Sequence, residues 1–411
     1  MKRIRSSLKK KMIRLVKHNK LVYKCYYIIV STFLSLLGLL IKSKAREIVF
    51  LCYGGRSYGD NLKPIYERML KDPRFKKWSF VWGFRDPGII VLPDKERTKV
   101  CKVDSIKFYF HALRAKCWIT NTTMQRGLNF RNKGTLYVNT WHGIPLKLIG
   151  DDVKSDSAFR ASPEKYDLLL AAGTFDAKIV GAALHVNPDR VKITGFPRND
   201  RFNMDHEKIR NEVFNFYNLD KKKKVILYAP TYRDYCKKDN GEFTFDVKLS
   251  SKEFYNRLGD DYQMLIRAHG AIEDSSSSAT GFVDVTGYPY IEDLMIASDV
   301  LVSDYSSAIF DYTLLEKPII CFIYDINRYK VDRGFYVDVE EFLPFKKCYT
   351  ELELYETIKE LDFDKESFLS RELREKCGIV SGNASENAVD EIYKLLRHNS
   401  EKTNNANEEL K

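Results

Sequence analysis

The sequence predicts an α/β protein of two doubly wound lobes facing a cleft, behind an N-terminal helix that associates with membranes. Three observations predict it. From residue 47 onward, short β-branched runs alternate with stretches of helical spacing, the pattern of parallel strands covered by helices. A chain of 411 residues is too long for one ordinary core, so two lobes are expected. Ten of the first 24 residues are Lys or Arg with no acid among them, and the 17 uncharged residues Cys25 to Ile41 follow.

That apolar run sits at the lower edge of what spans a bilayer, and Lys42, Lys44 and Arg46 make its far flank basic too. A cleaved signal peptide is disfavoured, because no small-residue cleavage site follows. A true span and a plain core helix remain as alternatives. The favoured reading is a helix lying in the inner leaflet, gripped by lysines against anionic lipid. The formal charge of +12 fits anionic lipid or a phosphorylated substrate. Nucleic acid is excluded as a partner, because the positive charge is concentrated before residue 47. The eight cysteines form no CxxC pair and no zinc spacing, and several lie in apolar runs. Reduced, buried thiols point to the cytoplasm, and together with the leaflet helix the expected location is the cytoplasmic face of the cell membrane, peripheral or monotopic.

The first lobe begins with a buried strand over Glu47–Tyr53, closed by Gly54-Gly55, and a helix over Asn61–Lys71. Further strands are expected over Ser79–Phe84, Lys99–Val103, Cys117–Asn121, Thr135–Trp141, Tyr166–Ala171 and Val191–Thr194. The second series is Val225–Ala229, Gln263–Ala268, Phe282–Val285, Asp299–Ser303 and Ile319–Ile323, with Ser275–Ser278 as a flexible loop. The expected division is a basic and apolar segment over 1–44, a Rossmann-like first lobe over 45–200, a helix and connector over 201–224, a Rossmann-like second lobe over 225–398 and a disordered tail over 399–411.

Chemistry-bearing residues fall at strand ends, where an α/β cleft collects its ligands. His142 follows the Thr135–Trp141 run directly; Gly143 permits a tight turn and Pro145 suits the first turn of a helix. A neutral imidazole there accepts a proton near neutral pH, although a turn-capping ring would look the same. Arg267 and His269 alternate along one strand and share a face, an arrangement suited to phosphate. Ser306 and Ser307 stand at a strand-to-helix junction, either as plain caps or as an anion site, with Asp311 one turn later in reach of sugar hydroxyls. Thr231 and Arg233 leave another strand end, and Arg198 lies at the expected hinge.

These pieces resemble the CDP-glycerol glycerophosphotransferase family, the teichoic acid primases and polymerases. The matching segments are GGRSYGDN (54–61), WHGIPLK (141–147), GFPRND (195–200), YAPTYRD (228–234), RAHG (267–270), SDYSSAIFDY (303–312), EKPII (316–320) and RGFYVD (333–338), in the family's order over about residues 45–345. The resemblance implies a GT-B-like fold, with the acceptor on the first lobe and CDP-glycerol or CDP-ribitol on the second. It implies His142 as the base and His269 as a second essential histidine. Trp141, Gly143, Ile144, Pro145, Arg198, Pro230, Thr231, Arg267, Ser306, Ser307 and Asp311 are implied around the substrate. Ile144 stands where Thr is common and Tyr232 where Trp is common, which leaves the alditol open.

The expected reaction moves an alditol phosphate from the CDP-alditol to a lipid-linked saccharide or polymer acceptor, releasing CMP, in teichoic acid or capsule-type polymer synthesis. No acidic cluster or Asp-x-Asp asks for a metal, and no cofactor is required; a divalent cation on the diphosphate stays open. Two rivals remain: a GT-B glycosyltransferase or epimerase using a nucleotide sugar, and a non-catalytic membrane-surface module.

Overall fold

The computed structural model describes residues 19–153, 164–231, 233, 248–268 and 281–408. Two parallel sheets organise it. The first holds β1 (Lys44–Leu51), β2 (Ser79–Phe84), β3 (Thr98–Lys102), β4 (Ala115–Thr120), β5 (Leu136–Asn139), β6 (Leu168–Ala171) and β7 (Val191–Ile193), in the order β3-β2-β1-β4-β5-β6-β7. The second holds β8 (Lys224–Tyr228), β9 (Tyr262–Ile266), β10 (Val283–Asp284), β11 (Val300–Ser303), β12 (Ile319–Phe322) and β13 (Lys347–Cys348), in the order β10-β9-β8-β11-β12-β13. Both run outward from a first strand and then reverse, the doubly wound order. The reversal lies between β1 and β4 in one lobe and between β8 and β11 in the other. Helices on both faces explain why Ile48 to Leu51 and Val300 to Val302 are wholly buried, and why such strands read as unbroken apolar runs.

The strand after Thr135 ends earlier than its composition suggests. Asn139 Oδ1 accepts from Trp141 N at 2.8 Å, and Trp141 takes φ 50°, so the chain leaves the sheet at Asn139. Pro145 opens no helix. Residues 146–148 instead pair with the second lobe: Tyr336 N donates to Leu146 O at 2.9 Å and Leu148 N to Gly334 O at 3.1 Å. Ile144 and Leu146 are buried in an apolar cluster shared with Tyr305, Ile309 and Phe310, which joins the lobes.

Two boundaries differ from the expected division. The connector holds its expected helix, His206–Tyr217, but Ile209, Val213 and Phe214 pack into the second lobe's core, so the helix is part of that lobe. The final helix, Ala384–Glu408, crosses back: Ala388, Val389, Ile392 and Leu396 pack with Ile48 and Phe50 of β1. Asp200 caps it, accepting from Ala384 N at 2.7 Å and Ser385 N at 2.8 Å. This anchored, apolar-striped start carries the helix through most of the stretch expected to be a disordered tail.

The N-terminal helix, Lys20–Leu40, is long and apolar enough to cross a membrane by length and composition. It lies against the first lobe along its length. Tyr23 Oη donates to Gly127 O at 2.9 Å, Asn129 N to Ser31 Oγ at 2.9 Å, and Asn132 Nδ2 to Gly38 O at 3.2 Å. A Cβ at Gly38 would sit 3.1 Å from Asn132 Cγ, so the close approach needs glycine. These contacts fall on the helix-free crossover from β4 to β5, which the N-terminal helix covers. Its other side exposes Ile28, Ile29, Phe33, Leu36, Leu39 and Leu40. Six cysteines are buried and free and Cys25 is exposed, while Cys236 lies outside the described residues.

Candidate active site

The carboxyl ends of β1, β4 and β5 converge on His142. Its ring packs edge-on to Tyr53 at 5.7 Å and against Trp141 at 4.3 Å. Nδ1 lies 2.7 Å from the Asn121 carbonyl oxygen, which can only accept, so Nδ1 carries the proton of the neutral ring. Nε2 is left with the lone pair and makes no hydrogen bond to the described residues. Burial pushes the His142 pKa below the ordinary histidine value, while Asp60 and the Asn121 carbonyl oppose that shift. The imidazole is therefore neutral at pH 7 and ready to take a proton.

Gly143 sets the distance to the second lobe. Its φ is +155°, and an added Cβ would meet Ser307, with Ser307 Cβ 2.7 Å away. The start of the Ala308–Tyr312 helix thus abuts the residue next to His142. Ser306 Oγ accepts from Ala308 N at 3.2 Å, whereas Ser307 makes no side-chain cap bond.

A second contact between the lobes is ionic. Arg198 donates to Asp60 at 2.7 Å and to Asp311 at 2.8 Å, with Glu292 Oε1 3.8 Å from its Nε. Asn199 Nδ2 also donates to Asp311, at 2.8 Å. Burial opposes the guanidinium charge, but Asp311 and Asp60 outweigh it and raise the Arg198 pKa. Burial lifts the Glu292 carboxyl to about 7, against the pull of Arg198. Arg198 and Asp311, expected at the substrate, are in this structure each other's partners.

In the second lobe, Asp304 at the end of β11 is buried and accepts from Thr231 N at 3.0 Å, Tyr305 N at 2.6 Å and Arg233 at 2.7 Å. Arg233 also grips Asp325 at 2.6 Å and 3.0 Å. This clamp holds Pro230 and Thr231 at the end of β8, beside the reversal point. Thr231 Oγ1 is buried with no hydrogen-bond partner among the described residues. Arg267, at the end of β9, donates among the described residues only to the carbonyls of Tyr288 (2.8 Å) and Val285 (3.3 Å), and burial lowers its pKa. A half-buried cation that donates to no carboxylate among the described residues, with only the more distant charge of Glu292 acting on it, suits an anionic ligand.

The structure therefore brings His142, Gly143, Ser307, Arg198 and Asp311 together across the lobes. Trp141 stacks on the histidine, and its carbonyl accepts from Asn61 Nδ2 at 3.2 Å. Ile144 and Pro145 are buried in the contact between the lobes, because the segment crosses there to residues 334–336. His269 lies outside the described residues. Sequence reasoning passed over Asp60, Asn121 and Glu292, and gave Asp304 no role of its own within SDYSSAIFDY; Asp60 stood in the GGRSYGDN segment, and Asn121 ended an apolar strand. Among the described residues no group of three or more His, Cys, Asp or Glu side chains is placed to hold a metal ion.

A family model described as CDP-Glycerol:Poly(glycerophosphate) glycerophosphotransferase matches residues 34–394. The teichoic acid poly(glycerol phosphate) polymerase of Staphylococcus epidermidis is 33% identical over 380 residues, covering 86% of this chain and 51% of that protein. The chain thus spans about half the length of that relative. The teichoic acid glycerol-phosphate transferase of Staphylococcus aureus is 30% identical over 367 residues, covering 84% of this chain and 92% of the relative. The solved wall teichoic acid polymerase TagF, in a variant soaked with CDPG, superposes with a TM-score of 0.77 at 29% identity, covering 94% and 98% of the two chains. A UDP complex of S. aureus MnaA matches at 12% identity with a TM-score of 0.54, covering 86% and 97%, a likeness of fold alone.

Proposed function

The chain belongs to the CDP-glycerol:poly(glycerophosphate) glycerophosphotransferase family, and from that premise we propose that it transfers an alditol phosphate from CDP-glycerol or CDP-ribitol to a membrane-linked acceptor. The carrying observation is His142: Nδ1–H is spent on the Asn121 carbonyl, Nε2 is free, and Gly143 sets the ring against the Ser307 edge of the second lobe. The acceptor hydroxyl loses its proton to Nε2 as its oxygen attacks the alditol-bearing phosphorus. The bond from that phosphorus to the bridging oxygen breaks, and CMP leaves with the electron pair. Arg267, the Thr231 hydroxyl and the Ser306-Ser307 turn bind the diphosphate, and His269 is the second histidine that the family resemblance implies. Arg198 and Asp311 hold the lobes in register.

The N-terminal helix lies on the cytoplasmic leaflet. Its apolar face reaches lipid while Tyr23, Ser31 and Gly38 stay on the lobe. That docking supports a helix in the leaflet over one crossing it, and it keeps the cleft at the level of a lipid-linked acceptor. The test incubates purified protein with a synthetic lipid-linked saccharide and either CDP-alditol. Alditol phosphate on the acceptor with one CMP per unit is expected. A transferred sugar with release of a nucleoside diphosphate would replace this reading with the glycosyltransferase one.

A further inference from the structure

Asn121 is anchored more firmly than a turn residue needs. It follows β4 at the reversal point of the first sheet and is fully buried. Its carbonyl accepts from His142 Nδ1 at 2.7 Å, its Oδ1 accepts from Tyr53 N at 2.8 Å, and its Nδ2 donates to Asp60 Oδ2. The flanking Thr120 hydroxyl donates to Leu51 O at 2.7 Å and accepts from Thr122 N at 3.2 Å, which fixes the chain on either side. Asp60 gives its other oxygen to Arg198, and Arg198 reaches Asp311 in the second lobe. An unbroken set of bonds therefore runs from the His142 ring to the opposite lobe.

We propose that Asn121 and Asp60 are positioning residues: Asn121 locks His142 in the Nδ1–H tautomer, and Asp60 sets the charge beside the ring through a clamp that needs the second lobe. Asn121 acts through geometry, because its carbonyl leaves the neutral ring one arrangement and aims the basic lone pair through Nε2. Asp60 acts through charge. The groups facing the ring are Asp60 from the turn after β1, Tyr53 at its edge, Arg198 from the turn after β7 and Lys147 beyond Gly143. Asp60 favours the imidazolium, and Arg198 and Lys147 oppose it. Arg198 binds Asp60 while Asp311 binds Arg198, so parting of the lobes alters the field at the base. This inference rests on His142 as the base of the proposed transfer.

Two measurements test it. Nitrogen-15 spectra of protein labelled in its histidine rings, with His142→Gln to assign the signal, read the tautomer in the otherwise unaltered chain. Protonated Nδ1 with bare Nε2 is expected, and the reverse overturns the proposal whether or not the protein transfers anything. The second is the pH profile of kcat for CMP release from CDP-glycerol or CDP-ribitol with a lipid-linked acceptor. Asn121→Asp adds a carboxylate beside Asp60, so the acid limb moves up by about one pH unit. KM for the nucleotide stays within about twofold. Asp60→Asn removes a negative charge, so the limb moves down. Loss of packing alone lowers kcat without opposed shifts. Unshifted limbs, or limbs moving the same way, would overturn the role of Asp60. A wild-type protein that releases no CMP would sink the transfer reading instead, and the tautomer spectrum would still decide the claim about Asn121.

Discussion

Replacing Arg198 with methionine removes the cation on which the contact between the lobes depends. The side chains of Arg198, Asp60, Asp311 and Glu292 are each no more than 9% exposed, so solvent does little to compensate. Breaking a buried pair from one side typically costs about 3–5 kcal/mol, because a charge is left without a partner. Here two of the three carboxylates keep an amide donor, Asn121 for Asp60 and Asn199 for Asp311, which places Arg198→Met at about 3 kcal/mol at about pH 8. Urea unfolding is the assay. The cost should shrink at about pH 5.5, where the Glu292 carboxyl, raised to about 7, is protonated and is no longer one of the stranded charges. Adding Asp311→Leu to Arg198→Met should recover at least about 1 kcal/mol, since it deletes one of them. A cost below about 1 kcal/mol at the higher pH, or one unmoved by Asp311→Leu, would refute an ionic contact and leave the joint to the apolar cluster around Ile144 and the backbone bonds beside it.

Glu292 offers a second pH test. Its folded pKa is raised from 4.5 to about 7, so its contribution is full below 4.5 and lost as pH rises through 7. Glu292→Gln should therefore gain on the native chain with rising pH, by at most about 3 kcal/mol, and a pH-independent gap in melting temperature would count against it. Gly143→Ala should destabilise by about 1–3 kcal/mol through its backbone angle and the contact with Ser307. Ser307→Gly should return the steric part in thermal melts; no rescue would mean that the lobes are not apposed there. Ile29→Glu with Phe33→Glu should weaken sedimentation with anionic vesicles by at least about a hundredfold, as two apolar side chains at about 1.5–3 kcal/mol each leave the lipid. Unchanged binding would move the membrane contact elsewhere.

The doubly wound architecture was legible because strands buried on both faces, such as Val300–Ser303 and Ile319–Phe322, read as continuous β-branched runs between turn signals. His142 was legible as a residue just past a strand, but its tautomer was not, since the carbonyl that sets it lies 21 positions away. Arg198 and Asp311 were read as ligand contacts because residue type alone does not tell a phosphate partner from a carboxylate partner 113 positions distant. The two-residue strand β13 is too short to leave a periodic signal. The spacing of Ala388, Val389, Ile392 and Leu396 signals an amphipathic helix and says nothing about which lobe it covers.

The central claim is that His142, held by Asn121 and set against the second lobe, takes the proton of the attacking hydroxyl. CMP release from CDP-glycerol and CDP-ribitol by His142→Ala, with a lipid-linked acceptor present and native melting confirmed, tests it most directly. A loss of about 10²–10⁴-fold in kcat with the nucleotide still bound is the predicted result. Turnover at the native rate by that folded variant would contradict the account.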